Sequence, residues 1–119
     1  MYDEDGYGGP VDLLANIALA YERLAALQHP AYADEATAGV CGAQSVLLFS
    51  CDHGDWETPN CSIDKEERAE WTAVIDAHPD SSTAKVAKAF LKKMKAKRYR
   101  ASSGQLFKLV EPLLDCVEE

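Results

Sequence analysis

Cys41, Cys51, His53 and Cys61 are the residues whose types and spacing point most directly to chemistry in this chain. Thiolates and an imidazole are zinc ligands, and four of them would close a tetrahedral structural site. They stand as C-x9-C-x-H-x7-C. The common arrangement instead repeats a pair of ligands two to four residues apart. Only Cys51 and His53 are close here, with one residue between them. A Cys51–Cys61 disulfide across a short loop is a second reading. A nucleophilic Cys with His53 as its base is a third. The plainest reading is a solvated loop, about 51–61, with Trp56 tucked beneath it and ordinary thiols, because a free Cys is commonly a small buried hydrophobe. In the reducing cytosol, thiols or metal ligands are expected over disulfides. The spacing therefore favours the loop first and a metal clip on Cys41, Cys51, His53 and Cys61 second.

The second constellation is electrostatic. Residues 81–110 contain nine of the twelve Lys and Arg and none of the twenty Asp and Glu. That quarter of the chain carries +9, and the remainder, with three bases and every acid, carries −17. Lys88, Lys92, Lys93, Lys95, Arg98, Tyr99 and Arg100 are the candidate contacts to an anionic partner. Lys and Arg that neutralise phosphates give salt-sensitive, largely sequence-independent binding. Tyr99 lies between two guanidinium groups, where it could stack on bases or pack on a protein. An acidic protein surface fits the same chemistry. So does a second copy of the chain, whose acidic and basic parts are self-complementary. Basic amphipathic helices also occupy membrane surfaces and apolar grooves. The competing account is a solvated helix face that balances acidic neighbours. The helix dipole explains last-turn bases such as Lys95, Lys97 and Arg98, but not Lys85, Lys88, Lys92 and Lys93.

Other chemistry is thinly represented. Two of the three His, His29 and His78, precede Pro at expected helix ends, where an imidazole complements the dipole and caps carbonyls. The chain contains no G-x-G-x-x-G, G-K-[ST], H-E-x-x-H or G-x-S-x-G motif. A non-enzymatic role is therefore expected.

The elements that would position these residues are helical. Residues 1–10 are acidic and Gly-rich and read as a flexible tail. From Pro10, an apolar stripe of Leu13, Leu14, Ile17, Tyr21, Leu24 and Leu27 follows a 3.6-residue period, which predicts a helix over 11–28. His29-Pro30 ends it. Two helical pieces, 31–38 and 40–50, are expected next, because Gly39 and Gly42 each weaken a continuous helix by about 1 kcal/mol; a short strand over 40–50 is the alternative. Ser62 is a candidate N-cap for a helix over 63–77. A clean amphipathic helix over 83–97 carries Val86, Ala87, Phe90, Leu91 and Met94 on one side and the lysines on the other. Ser102 and Gln105 fit a capping box for the last helix. Pro112 should kink or divide that helix.

The expected fold is all-α, a compact bundle of four to six short helices, with residues 11–119 as one helical domain. No apolar run approaches the ~20 residues of a membrane span. The acidic N-terminus lacks the basic start of a secretory signal, so a cytoplasmic protein is expected. Residues 89–110 resemble helical hairpins of several phage and bacterial nucleic-acid-related proteins; the likeness implies a hairpin and transfers no site residue. The leading functional expectation is a small binding protein that engages nucleic acid through the basic helix. The alternatives are an acidic inhibitor or adaptor protein of phage–bacterial conflict, such as an anti-defence protein, and a small zinc-binding domain.

Overall fold

The computed structural model describes residues 10–51 and 61–114. The architecture is all-α, with five α-helices and a minimal two-stranded ribbon among the described residues. The helices are α1 (Pro10–Leu27), α2 (Ala33–Leu48), α3 (Lys65–Ala77), α4 (Ser82–Ala96) and α5 (Ser103–Val110), followed by a single 3-10 turn, Glu111–Leu113. The ribbon pairs β1 (Cys61–Ser62) with β2 (Arg100–Ala101) in antiparallel register, Cys61 opposite Ala101. The acidic tail expected over residues 1–10 lies almost wholly outside the described residues.

Local signals set most helix limits. Ser81 caps α4 by accepting the Ala84 amide. Ser102 and Gln105 form the expected reciprocal capping box at α5, with Ser102 Oγ accepting the Gln105 amide at 3.2 Å. Pro112 divides the last helix, which ends as α5 and resumes as the 3-10 turn. At α3 the cap is Asp64 rather than Ser62, with Asp64 and Glu67 forming a second capping box. Ser62 is occupied in the ribbon opposite Arg100.

Residues 33–48 form one continuous helix, not two pieces and not a strand. Tertiary packing overrides the propensity of the two glycines. The bare backbone of Gly39 receives the ring of Tyr21 from α1, while Gly42 faces open space.

The core gathers all five helices. Phe90 and Met94 of α4, Leu47 and Leu48 of α2, Leu106 and Val110 of α5 and Cys61 of β1 are wholly buried. Trp71 of α3 packs against Phe90 with ring centroids 5.1 Å apart. α1 contributes Val11, Ala15, Ala18 and Leu19. This is not the stripe its periodicity draws attention to. Leu13, Ile17, Leu24 and Leu27 face outward, and Tyr21, though partly exposed, lays its ring on α2 at Gly39.

Distant polar contacts lock α4 in place. Glu22 of α1 accepts the amides of Ser82 at 2.9 Å and Thr83 at 2.7 Å, together with the Thr83 hydroxyl. Gln44, buried in α2, donates from Nε2 to Ser82 Oγ at 3.1 Å and to Thr83 Oγ1 at 3.2 Å. A carboxylate from α1 thus satisfies amides at the first turn of α4, which otherwise lack helical partners.

Candidate polyanion-binding face

The cationic face is built on α4 because its opposite side is committed to the core. Thr83, Ala84, Ala87, Phe90 and Met94 are buried, which turns Lys85, Lys88, Lys92, Lys93, Lys95 and Lys97 to solvent. At about 100° per residue the lysines divide into two flanks. Lys85, Lys88, Lys92 and Lys95 share one flank and line an open cleft of about 580 Å³ with Ala89, Leu91 and Tyr99. Ten residues of helix separate the first and last of these, or about 15 Å of axis. Lys93 falls on the other flank. There it lines a second hollow with Lys97, Gln105, Lys108 and Leu109, between α4 and α5.

The turn after α4 extends the positive surface. Arg98 and Arg100 are exposed and share a shallow hollow with Lys97 and Gln105. Arg98 and Tyr99 both occupy the left-handed region, with φ of 58° and 62°. Two such residues in succession are uncommon outside glycine and reverse the chain sharply. The Tyr99 amide donates to the Met94 carbonyl at 2.7 Å, and the Tyr99 carbonyl accepts the Ile63 amide at 3.0 Å. These bonds hold the turn against the β1–β2 ribbon.

Of the seven candidate contacts, Lys88, Lys92, Lys95 and Tyr99 therefore come together on one cleft. Lys93, Arg98 and Arg100 lie on the other flank and at the helix end. Tyr99 is not a free stacking platform. The Arg68 guanidinium of α3 sits over its ring, 4.2 Å from the centroid. Sequence reasoning missed Arg68 as a member of this cluster. It lies among acids in the chain, and only the packing of α3 on α4 brings it to Tyr99.

The cysteine constellation resolves differently. Cys51 and Cys61 form a disulfide with Cα atoms 4.8 Å apart, and Cys41 is disulfide-bonded as well. No cysteine is free among the described residues. This corrects the expectation of thiols. It also removes the zinc reading, because a sulfur held in a disulfide has no thiolate to offer a metal, and three of the four proposed ligands are so held. His53, the fourth, lies outside the described residues. The same pairing leaves Cys51 and Cys61 no thiolate for nucleophilic attack. The disulfide joins the end of α2 to the strand that supports the basic turn.

The other two histidines lie just past helix ends, but the His29 ring serves an amide ahead of it and not the carbonyls of α1. His29 Nδ1 accepts the Ala31 amide at 3.0 Å, and its ring stacks on Tyr32. His78 is the C-cap residue of α3, its amide donating to Val74.

An acidic cluster occupies the start of α3. Burial raises the pKa of the Glu70 carboxyl, and the charges of Glu67, Asp64, Asp12 and Glu66 push it further in the same direction. The start of α3 stands beside the basic turn, with Ser62 opposite Arg100 and the Ile63 amide bonded to the Tyr99 carbonyl. No helix among the described residues is long and apolar enough to cross a membrane. Comparison with protein-family models, curated proteins and solved structures finds no match to this chain.

Proposed function

We propose that this protein is a non-enzymatic binding protein that lays a polyanion, nucleic acid first among them, along the lysine flank of α4. The observation that carries this reading is the shared cleft of Lys85, Lys88, Lys92 and Lys95. These four ammonium groups are spread over about 15 Å, roughly the axial rise of four nucleotides of one strand. Lysines act as mobile point charges, so recognition is of phosphate rather than of base sequence. Ala89 and Leu91 line the same cleft and leave room for a backbone to approach. Tyr99 supports the cleft wall, its ring covered by the Arg68 guanidinium.

The test is a binding titration of labelled single-stranded DNA, duplex DNA and RNA at low and high salt. About four neutralised phosphates give a slope of log affinity against log salt near −3 to −4. Reversing Lys88, Lys92 and Lys95 to Glu should abolish binding. No binding of any nucleic acid at low salt refutes the proposal.

The disulfides bear on where this happens. The cytoplasmic expectation rests on sequence alone, and disulfides persist chiefly in oxidising surroundings. We infer an oxidising site of action, such as a periplasm, an extracellular space or a particle surface.

A second reading is favoured by the acidic cluster of Asp12, Asp64, Glu66, Glu67 and Glu70. Five carboxylates gathered at the start of α3 and the nearby end of α1 offer the negative charge that a charge-mimicking inhibitor or adaptor would use. Capture of a basic protein partner that is lost in the Glu66/Glu67→Lys variant, with nucleic acid binding absent, would select this reading.

A further inference from the structure

We propose that this chain self-associates through the outward face of α1, two copies packing antiparallel along a short coiled-coil seam. α1 is apolar on two sides. Val11, Ala15, Ala18 and Leu19 enter the core. On the far side stand Leu13, Ile17, Ala20, Leu24 and Leu27, separated by four, three, four and three residues. That is the a/d spacing of a heptad repeat, the pattern that seats knobs into holes on a facing helix. All five are exposed, Leu13 at 63% and Leu27 at 68%. Scattered exposed apolar residues need no explanation, but a contiguous stripe marks a contact surface. The seam runs about 21 Å along the helix.

The flanks identify a second copy as the occupant. Asn16 and Arg23 border the seam on one side, Tyr21 on the other. None is acidic, so two chains of net charge −8 can meet here without carboxylates opposed. An antiparallel arrangement sets the two helix dipoles head to tail, the favourable sense. It aligns Leu13 with the partner's Leu24 and Ile17 with the partner's Ala20, a large residue against a small one. It also brings Asp12 near the partner's Arg23, and the two-fold axis makes this contact twice. This surface shares no residue with the lysine face of α4, so its failure and that of the binding proposal can be told apart.

Sedimentation velocity over a wide concentration range, at low and high salt, tests it. The expected result is a concentration-dependent species of twice the 13.0 kDa chain mass. It should strengthen with salt, because screening relieves repulsion between two acidic chains. Ala20→Glu and Leu24→Glu should each weaken association at least tenfold while leaving the helical circular dichroism unchanged; should either misfold, Ile17→Glu, also exposed and within the paired seam, replaces it. Asp12→Arg should weaken the dimer, and adding Arg23→Asp should restore it. A monomer at every concentration and both salts overturns the proposal. So does a dimer indifferent to Ala20→Glu and Leu24→Glu, or a charge swap that fails to rescue.

Discussion

The ring of Tyr21 lies across the backbone of Gly39, so that α1 and α2 meet where α2 has no side chain. A methyl group at Gly39 would fall 2.9 Å from Tyr21 Cγ and closer still to the ring edge. Gly42, one turn on, faces nothing within 4 Å. The same substitution should therefore have opposite signs. Gly42→Ala should stabilise by about 1 kcal/mol through helix propensity. Gly39→Ala should destabilise by about 1 kcal/mol, as overpacking outweighs the same gain. In a Tyr21→Ala background Gly39→Ala should become stabilising. Urea midpoints of the four variants check this.

Glu22 and the first turn of α4 give a second test. Glu22→Gln keeps the shape but removes the charge that Ser82 N, Thr83 N and the Thr83 hydroxyl address. A loss of about 1 kcal/mol is expected, rising to about 2–3 kcal/mol for Glu22→Ala, which leaves those donors without their acceptor. Equilibrium denaturation would show it. Equal stability in all three proteins would mean that water replaces the carboxylate at no loss.

The Cys51–Cys61 bond closes a loop of ten residues' separation. Chain-entropy reasoning gives it about 2–3 kcal/mol. A Cys51→Ala/Cys61→Ala variant should lose about that much in a denaturant titration. On the binding proposal polyanion affinity should fall as well, because the segment after Cys61 holds Tyr99, which lines the lysine cleft. Retained stability with lost affinity would show that the bond orders the turn and contributes little to the fold.

The helix limits were the most legible part of the sequence. Caps and breakers such as Ser102, Gln105, His29-Pro30 and Pro112 act over three or four residues, and the chain alone displays them. What it hid depended on partners far away. Gly39 reads as a weak point until Tyr21 is placed on it. Glu22 reads as one acid among twenty until the N-terminus of α4, sixty residues on, is found against it. The ribbon is two residues per strand, too short for any periodicity. The Cys51–Cys61 disulfide is one of the readings the spacing allows, and it ranks below thiols only because the expected compartment argues against it. At the candidate site, the lysine flank follows from helical spacing. The Arg68 contact that claims the face of Tyr99 does not.

Glu70 provides a pH test. Its pKa is raised by burial first, then by Glu67, Asp64, Asp12 and Glu66. The folded protein therefore holds that proton more tightly than the unfolded chain. The resulting stabilisation is complete below the ordinary carboxylate range and is lost as pH rises through the raised pKa. Glu70→Gln should gain stability at neutral pH and flatten this part of the profile. Thermal denaturation of both proteins between acidic and neutral pH measures the difference.

The carboxylate at the head of α4 also dictates how a ligand can approach. A helix N-terminus ordinarily offers its bare amides to an anion, and phosphates commonly dock there end-on. Here Glu22 fills that place before any ligand arrives. If the proposed binding role holds, a phosphate backbone would meet the tip of α4 already filled and would lie broadside, along the lysines.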